Sequence, residues 1–361
     1  MSFIIKLSLV GVAAGVGGLA TLSQLGDLRH RIGFEVPGLG GLTGLVSVGA
    51  AGVSPQGGPV DKTYTVRRVR IDGMVAQVEI ITSPQPGPVR LQANGKAETM
   101  KELQVRAVGD ELFLRLDKEE DEAWFPWNLF NMWGKERKVR DLSLRITAPT
   151  GTPFDLEGMV GTINAGDLDA PLRLDGHAVE ARFGRVQSAA VEIAGSGRIS
   201  IGAVKEMLDV EVAGSGNLQV ASAAAAQIEI AGGGNVVIGP LAGGLSTEVA
   251  GSGNIRVAQV NGPVDIEIAG SGDVLIEGGR ADPFQVQIAG SGDVVFRGEA
   301  VNPRVEIMGS GDVKVASFSG SKSEEIMGSG RFEVMSQPPG APQPAGPQPP
   351  APPSPPPAPG R

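Results

Sequence analysis

The sequence predicts an all-β protein, a right-handed parallel β-helix of about 19-residue coils capped on its N-terminal side by an antiparallel β segment. Three observations predict it. A Gly-Ser-Gly corner recurs at a near-constant step through the second half of the chain. The residues on either side of each corner alternate apolar and polar. A non-repeating stretch with the same alternation comes before the array.

Read in chain order, residues 1–25 carry one early charge, Lys6, followed by an apolar run from Leu7 to Ala20. That run falls short of the roughly 20 residues a membrane-spanning helix needs, and its glycines weaken a helix further. It reads as a secretory signal, with Gly18 and Ala20 placing small residues before a cut ahead of Thr21; an uncleaved anchor or a buried helix are the alternatives. Signal and anchor both put the remainder outside the cytoplasm, in the periplasm or at the cell surface. Residues 26–60 mix glycine, proline and scattered apolar residues without a sustained period, which reads as a linker.

Residues 61–157 alternate in short runs, such as "YTVRRVRIDG", "MVAQVEIITS" and "ELQVRAVGDELFLRL", separated by Gly, Pro and Asn-Gly turns. They read as antiparallel strands closing the end of the coil stack, whose exposed apolar cross-section needs a cap. One stretch breaks the pattern. Residues 117–138 hold all three tryptophans, Trp124, Trp127 and Trp133, together with Phe125 and Phe130, with an acidic run leading in and a basic run leading out. Either these rings plug the end of the rod, or they form an exposed loop that stacks on sugar rings, enters a membrane interface or docks a protein. These five aromatics are the first candidate binding site.

The array occupies residues 158–335. Its corners begin at Gly195, Gly214, Gly232, Gly251, Gly270, Gly290, Gly309 and Gly328, in steps of 19, 18, 19, 19, 20, 19 and 19, with weaker forerunners at Gly158 and Gly176. The paired glycines (Gly195 and Gly197, Gly214 and Gly216, Gly251 and Gly253, Gly270 and Gly272, Gly290 and Gly292, Gly309 and Gly311, Gly328 and Gly330) are assigned as structural turns. There the chain bends with φ > 0 or approaches the neighbouring coil closely, and the serine between them can bond along the stack. Val191, Ile193, Ile199 and Ile201 alternate with Glu192, Arg198 and Ser200, which marks two short strands per coil with branched residues facing inward. A chain of antiparallel hairpins turning at the same corners shows the same alternation and remains open.

Two outward columns carry charge. One is Glu192, Glu211, Glu229, Glu248, Glu267, Gln287, Glu306 and Glu325; the other, directly after the corner, is Asn217, Asn235, Asn254, Asp273, Asp293 and Asp312. Solvated like charges at strand spacing discourage aggregation, while Asp273, Asp293 and Asp312 are also a candidate ion ladder. The tandem Gly-Gly-x-Gly-x-Asp calcium nonapeptide is absent, no metal ligand set is assigned, and no lysine, arginine or histidine recurs beside these acids as acid/base chemistry would require. Residues 336–361 are dominated by proline and predict a polyproline II tail, disordered or acting as a tether.

Composition narrows the function. No cysteine is present, which excludes disulfides, thiol catalysis and iron–sulfur sites, and the two histidines, His30 and His177, stand apart. A formal charge of −9 argues against nucleic acid as a partner. No cofactor is expected.

The stretch "GMVAQVEIITSPQPGPVRLQANG", followed by "VEIAGSGRISI", "VEVAGSGNLQV" and "IEIAGSGDVLI", resembles the GIN-domain family of auto-transporter adhesin head domains over roughly residues 65–335. The resemblance implies a β-helical, extracytoplasmic protein with adhesion as its inferred role, and it brings no catalytic motif. The Trp-rich stretch and the proline tail are additions to that pattern. The resulting expectation is a non-enzymatic envelope module, adhesive or structural, whose partner is an envelope glycan, a membrane surface or a protein. A carbohydrate-binding or carbohydrate-processing β-helix and a self-associating scaffold are the rival readings.

Overall fold

The computed structural model of the chain describes residues 57–116 and 142–335, and apart from one short helix the elements it contains are strands and turns. Residues 1–56, with the signal or anchor segment and most of the linker, lie outside the described residues, as do residues 336–361.

The repeats form a parallel β-solenoid of about 10 turns. Each coil has one strand entering the glycine corner and one leaving it. The entering strands are β10 (Ala189–Gly195), the second half of β11 (Arg198–Gly214), the second half of β12 (Asn217–Gly232), β14 (Leu245–Gly251), the ends of β15 (Asn254–Gly270) and β17 (Gly279–Gly290), β19 (Arg304–Gly309) and β21 (Ser323–Gly328). The leaving strands are the first halves of β11, β12 and β15, with β13 (Asn235–Leu241), β16 (Val274–Ile276), β18 (Val294–Val301), β20 (Asp312–Ser319) and β22 (Arg331–Val334). Every pairing between successive coils is parallel, which excludes the hairpin alternative for the array.

The segment before the array is part of the same stack. Strand β2 (Arg68–Asp72) and β3 (Val75–Ser83) form a coil turning at Gly73, and both pair in parallel with β8 (Phe154–Ala165), which passes the stack on to β9 (Leu172–Phe183). On the other side, β6 (Glu111–Leu116) pairs in parallel with β2, and β7 (Ser143–Pro149) pairs in parallel with β3. Antiparallel pairing is confined to the outermost strands: β5 (Leu103–Val108) on β6, β4 (Val89–Asn94) on β7, and β1 (Val60–Tyr64) on β4. The strands of 61–157 are therefore of both kinds, because period-2 alternation reports which face is buried and not which way the neighbour runs. Helix α1 (Ala97–Glu102) joins β4 to β5 and buries Thr99 and Met100. Edge strand β1 is pinned by Asp61, whose two carboxylate oxygens accept Arg90 N–H groups at 2.8 and 2.7 Å. Arg90, and after it Gln92, hold that carboxyl down at about 2.

One core column shows how far the register carries. Leu114, Ile71, Leu156, Leu174, Val191, Val210, Ile228, Thr247, Ile266, Val286 and Val305 are successive partners from cap to array, and each is buried. Each fully buried branched side chain contributes roughly 1.5–3 kcal/mol, so the columns hold the coils together face to face. Phe284 and Phe296 stack at 5.4 Å between centroids inside this core.

At the corners the two glycines are needed for different reasons. The first has positive φ, 133° at Gly214, Gly232 and Gly251, and a Cβ on Gly214 would lie 2.6 Å from the Gly195 carbonyl oxygen of the coil before. The second, as at Gly253, would drive a Cβ into the Ile230 side chain and the Gly234 carbonyl. Between them the residue's N–H donates to the preceding coil's first glycine carbonyl, as from Ser215 to Gly195 at 2.8 Å and Ser252 to Gly232 at 2.9 Å.

Two substitutions separate these causes. Gly214→Ala combines a left-handed backbone with a collision against fixed backbone and should lower stability by about 2–4 kcal/mol in urea unfolding, whereas Gly233→Ser, in the one Gly-Gly-Gly corner and with nothing nearer than Ser252 Oγ at 3.8 Å, should change it by less than about 0.5 kcal/mol. Thr247 is 4% exposed in the core column and its hydroxyl has no hydrogen-bond partner. Thr247→Val should raise the unfolding midpoint by the equivalent of about 1–2 kcal/mol.

Candidate functional site

The five aromatics Trp124, Phe125, Trp127, Phe130 and Trp133 lie outside the described residues, but the strands that flank them are placed. Strands β6 and β7 stack on β2 and β3, whose own connection is only Gly73 and Met74. The aromatic insertion therefore stands in the chain where the neighbouring coil has a tight corner. It rejoins the stack at Leu142, whose carbonyl accepts the Gln77 N–H at 2.9 Å.

Gln77, whose partner on one side is Ser143, belongs to a ladder that continues on the other. Its partner in the next coil is Thr162, followed by Glu180, Arg198 and Asn217, one outward side chain per coil directly after the corner. These five, with Ser196 and the glycines Gly161 and Gly197, line a groove of about 530 Å³. The groove lies where the corner changes form: Gly158-Met159 and Gly176-His177 stand in place of Gly-Ser-Gly, and the register between β8 and β9 shifts at Met159. His177 is an exposed corner residue whose carbonyl accepts the Ser196 N–H at 3.3 Å. The walls carry an amide, a hydroxyl, a carboxylate and a guanidinium, with Glu180 held by Arg182 at 2.7 Å. Sequence reading did not assemble this set; the signal was Arg198, which follows its corner as Asn217 follows the next.

Beyond Asn217 the same ladder becomes the Asn/Asp column. Asn235 Nδ2 donates to Asn217 Oδ1 at 3.1 Å and Asn254 Nδ2 to Asn235 Oδ1 at 3.2 Å. Aspartate has no donor, and the bond changes hands: the N–H of Asp293 donates to Asp273 Oδ1 at 2.9 Å and that of Asp312 to Asp293 Oδ1 at 2.8 Å. Arg331 ends the series on Asp312 at 3.3 Å. Burial works against ionisation of Asp312, and Lys314 and Arg331 outweigh it and hold its carboxyl below the usual range. In the candidate ion ladder, one oxygen of Asp273 and one of Asp293 is thus committed to the next coil's backbone. Among the described residues no group of three or more His, Asp or Glu side chains is arranged to hold a metal.

The glutamate column lies on the strands entering the corner, with Glu192, Glu211, Glu229, Glu248, Glu267, Gln287, Glu306 and Glu325 as register partners throughout. Burial, and then the charges of Glu267 and Glu229, push the Glu248 carboxyl up. A shallow depression of about 110 Å³ opens at one end of this face, among Arg173, Asp175, Glu192, Asp209 and Glu211.

Fold and ladders together define a class of protein, a parallel β-solenoid that buries branched columns and turns graded polar ladders outward. More narrowly, the chain belongs to the family described as "Putative auto-transporter adhesin, head GIN domain", which matches residues 75–279 and 245–338. Among solved structures it is similar to a putative adhesin from Bacteroides fragilis, at 18% identity over 78% of this chain and 100% of that one with a TM-score of 0.34. It is also similar to a putative adhesin from Parabacteroides distasonis (11% identity, 78% and 98% covered, TM-score 0.36) and to a putative lipid binding protein from the same organism (16% identity, 79% and 99% covered, TM-score 0.35). No curated protein matches the chain. Among the described residues no helix is long and apolar enough to cross a membrane.

The glutamate column makes a prediction about pH. A carboxyl raised in the folded state keeps its proton above its unfolded pKa, so it weakens the fold as pH climbs from about 4.5 through the raised value. Glu267→Gln removes one of the two charges acting on Glu248 and should lower the Glu248 titration midpoint in a carboxyl-carbon NMR titration. Glu248→Gln should raise the thermal midpoint at pH 7 and leave it unchanged at pH 3.

Proposed function

We propose that this protein is a non-enzymatic, extracytoplasmic binding module, an adhesin-like solenoid that holds an envelope glycan against its outer surface. The observation that carries this reading is the five-coil groove from Gln77 to Asn217. Farther along this same ladder, from Asn217 to Asp312, the residue after the corner is always asparagine or aspartate, whereas here each coil contributes a different polar group. The groove begins at the coil next to the one that carries the inserted tryptophans. Aromatic rings offer stacking area to sugar faces, and amide, carboxylate and guanidinium groups offer directional bonds to sugar hydroxyls. Family membership supports an adhesive role, and the apolar run at residues 7–20 supports export.

The reading is tested by sedimenting the full chain with isolated membranes, peptidoglycan and surface polysaccharide, beside a Trp124/Trp127/Trp133→Ala variant and Arg198→Ala, each first shown to be folded by circular dichroism. Retention by a glycan fraction, lost in the triple variant and weakened roughly 5- to 20-fold by Arg198→Ala, is the expected result. Retention by membranes alone, or by no fraction, overturns it. Turnover of a retained glycan that disappears in Asp293→Ala would make the protein an enzyme instead.

A further inference from the structure

The two ends of the described stack are finished in opposite ways. At the N-terminal end the last strands are antiparallel, α1 bridges them, and their inward side chains Val89, Leu91, Leu103 and Val105 are no more than 2% exposed. At the C-terminal end β21 and β22 each pair on one side only, and among the described residues nothing lies beyond them. There the inward residues Ile326, Phe318 and Val334 are 36%, 40% and 47% exposed, while their partners one coil earlier, Ile307, Ala300 and Val315, are fully buried. Among the described residues nothing closes this apolar cross-section.

One residue in that cross-section is out of type. Glu324 is the register partner of Val305 and completes the core column of Val210, Ile228, Ile266 and Val286, so it is a carboxylate at a core position. Lys322 Nζ reaches it at 2.9 Å and sits 5.4 Å from the centroid of Phe332, which in turn packs edge-on against Phe318 at 6.2 Å. The Lys322–Glu324 pair therefore lies across the mouth of the core.

We propose that this end is a latent tail-to-tail contact surface for a second copy of the same chain, which the Lys322–Glu324 pair keeps unjoined in the wild type. Joining another edge would bury Glu324 and its partner, and a buried ion pair at best breaks even against an apolar replacement. An inward-pointing charge is one of the ways natural sheets protect an open edge. With that charge removed, the apolar surface that matches it among the described residues is another copy of the open end: β1 and β5 also pair on one side only, but the inward side chains at the N-terminal end are already buried. The product is a closed two-fold dimer and not a filament. Charge allows it. In an antiparallel register centred on Ile326 and Phe332, Glu325 falls opposite Met327 of the second copy and Arg331 opposite Glu333, so no carboxylate meets a carboxylate.

The test is sedimentation velocity of the full chain over a range of concentrations, comparing the wild type, Glu324→Val and Glu324→Val/Ile326→Lys. The wild type is expected to be monomeric. Glu324→Val should dimerise with an association constant raised roughly 100-fold and form nothing larger, and the added lysine should return it to monomer. A dimeric wild type, a monomeric Glu324→Val, a polymer, or an association that survives Ile326→Lys would each overturn the proposal; circular dichroism and the unfolding midpoint establish that every variant is folded.

Discussion

Everything in this fold depends on the contact between one glycine corner and the next. The N–H after each corner's first glycine donates to the equivalent glycine carbonyl one coil back, at 2.8–2.9 Å from Ser215 through Ser329. That bond can form only if the backbones approach to strand spacing with no Cβ between them, and only if the first glycine adopts a φ that L side chains rarely reach. Once the corners are in register, so is every other residue of the coil. The core columns and the outward ladders are consequences of a single repeated contact, which explains why the array tolerates wide variation between corners and little at them.

This also sets what the sequence could reveal. The corner was legible because one residue type met a conformational and a steric demand at a fixed step, and the inward columns were legible because alternation exposes them. Chain direction was not, since parallel and antiparallel neighbours bury the same alternate residues. The order of the first coils was hidden for another reason. Strands β6 and β7 enter between β2–β3 and β4–β5 after those have been made, and Gly158 stacks so closely on Gly73, its predecessor in space though 85 positions away in the chain, that a Cβ on Gly158 would lie 3.3 Å from the Gly73 Cα. Local patterning contains no record of such an insertion. Helix α1 was hidden by its length, six residues after an Asn-Gly pair that reads as a turn. The groove was missed because its members Gln77, Thr162, Glu180 and Arg198 follow corners of three different forms.

The two outward ladders show how side-chain length decides the outcome at identical spacing. Asparagine and aspartate carry their oxygens close enough to the backbone to accept an amide or a backbone N–H from the next coil, so a column of acids from Asp273 to Asp312 is held by the same ladder that builds the sheet. Glutamate is one methylene longer. In that column Glu248 is raised by burial and by two like charges, and the repulsion remains. One ladder reinforces the stack and the other strains it. Both keep the outer faces charged and discourage lateral pairing of flat sheets.

A solenoid satisfies its interior by repetition and is exposed wherever repetition stops. At the N-terminal end the chain reverses: β4 and β5 run against the stack, so the edge they present no longer matches the parallel ladder behind them, and Met100 of α1 is buried in the core there. That solution needs about forty residues of extra chain. At the C-terminal end the final coil keeps the parallel form and the corner glycines Gly328 and Gly330, and changes one core residue to Glu324 with Lys322 beside it. The first device buries the end and the second makes burying it unfavourable. A single substitution is enough for the second because register is already fixed by the corners: any coil added at that edge would have to place its own inward side chain on the carboxylate.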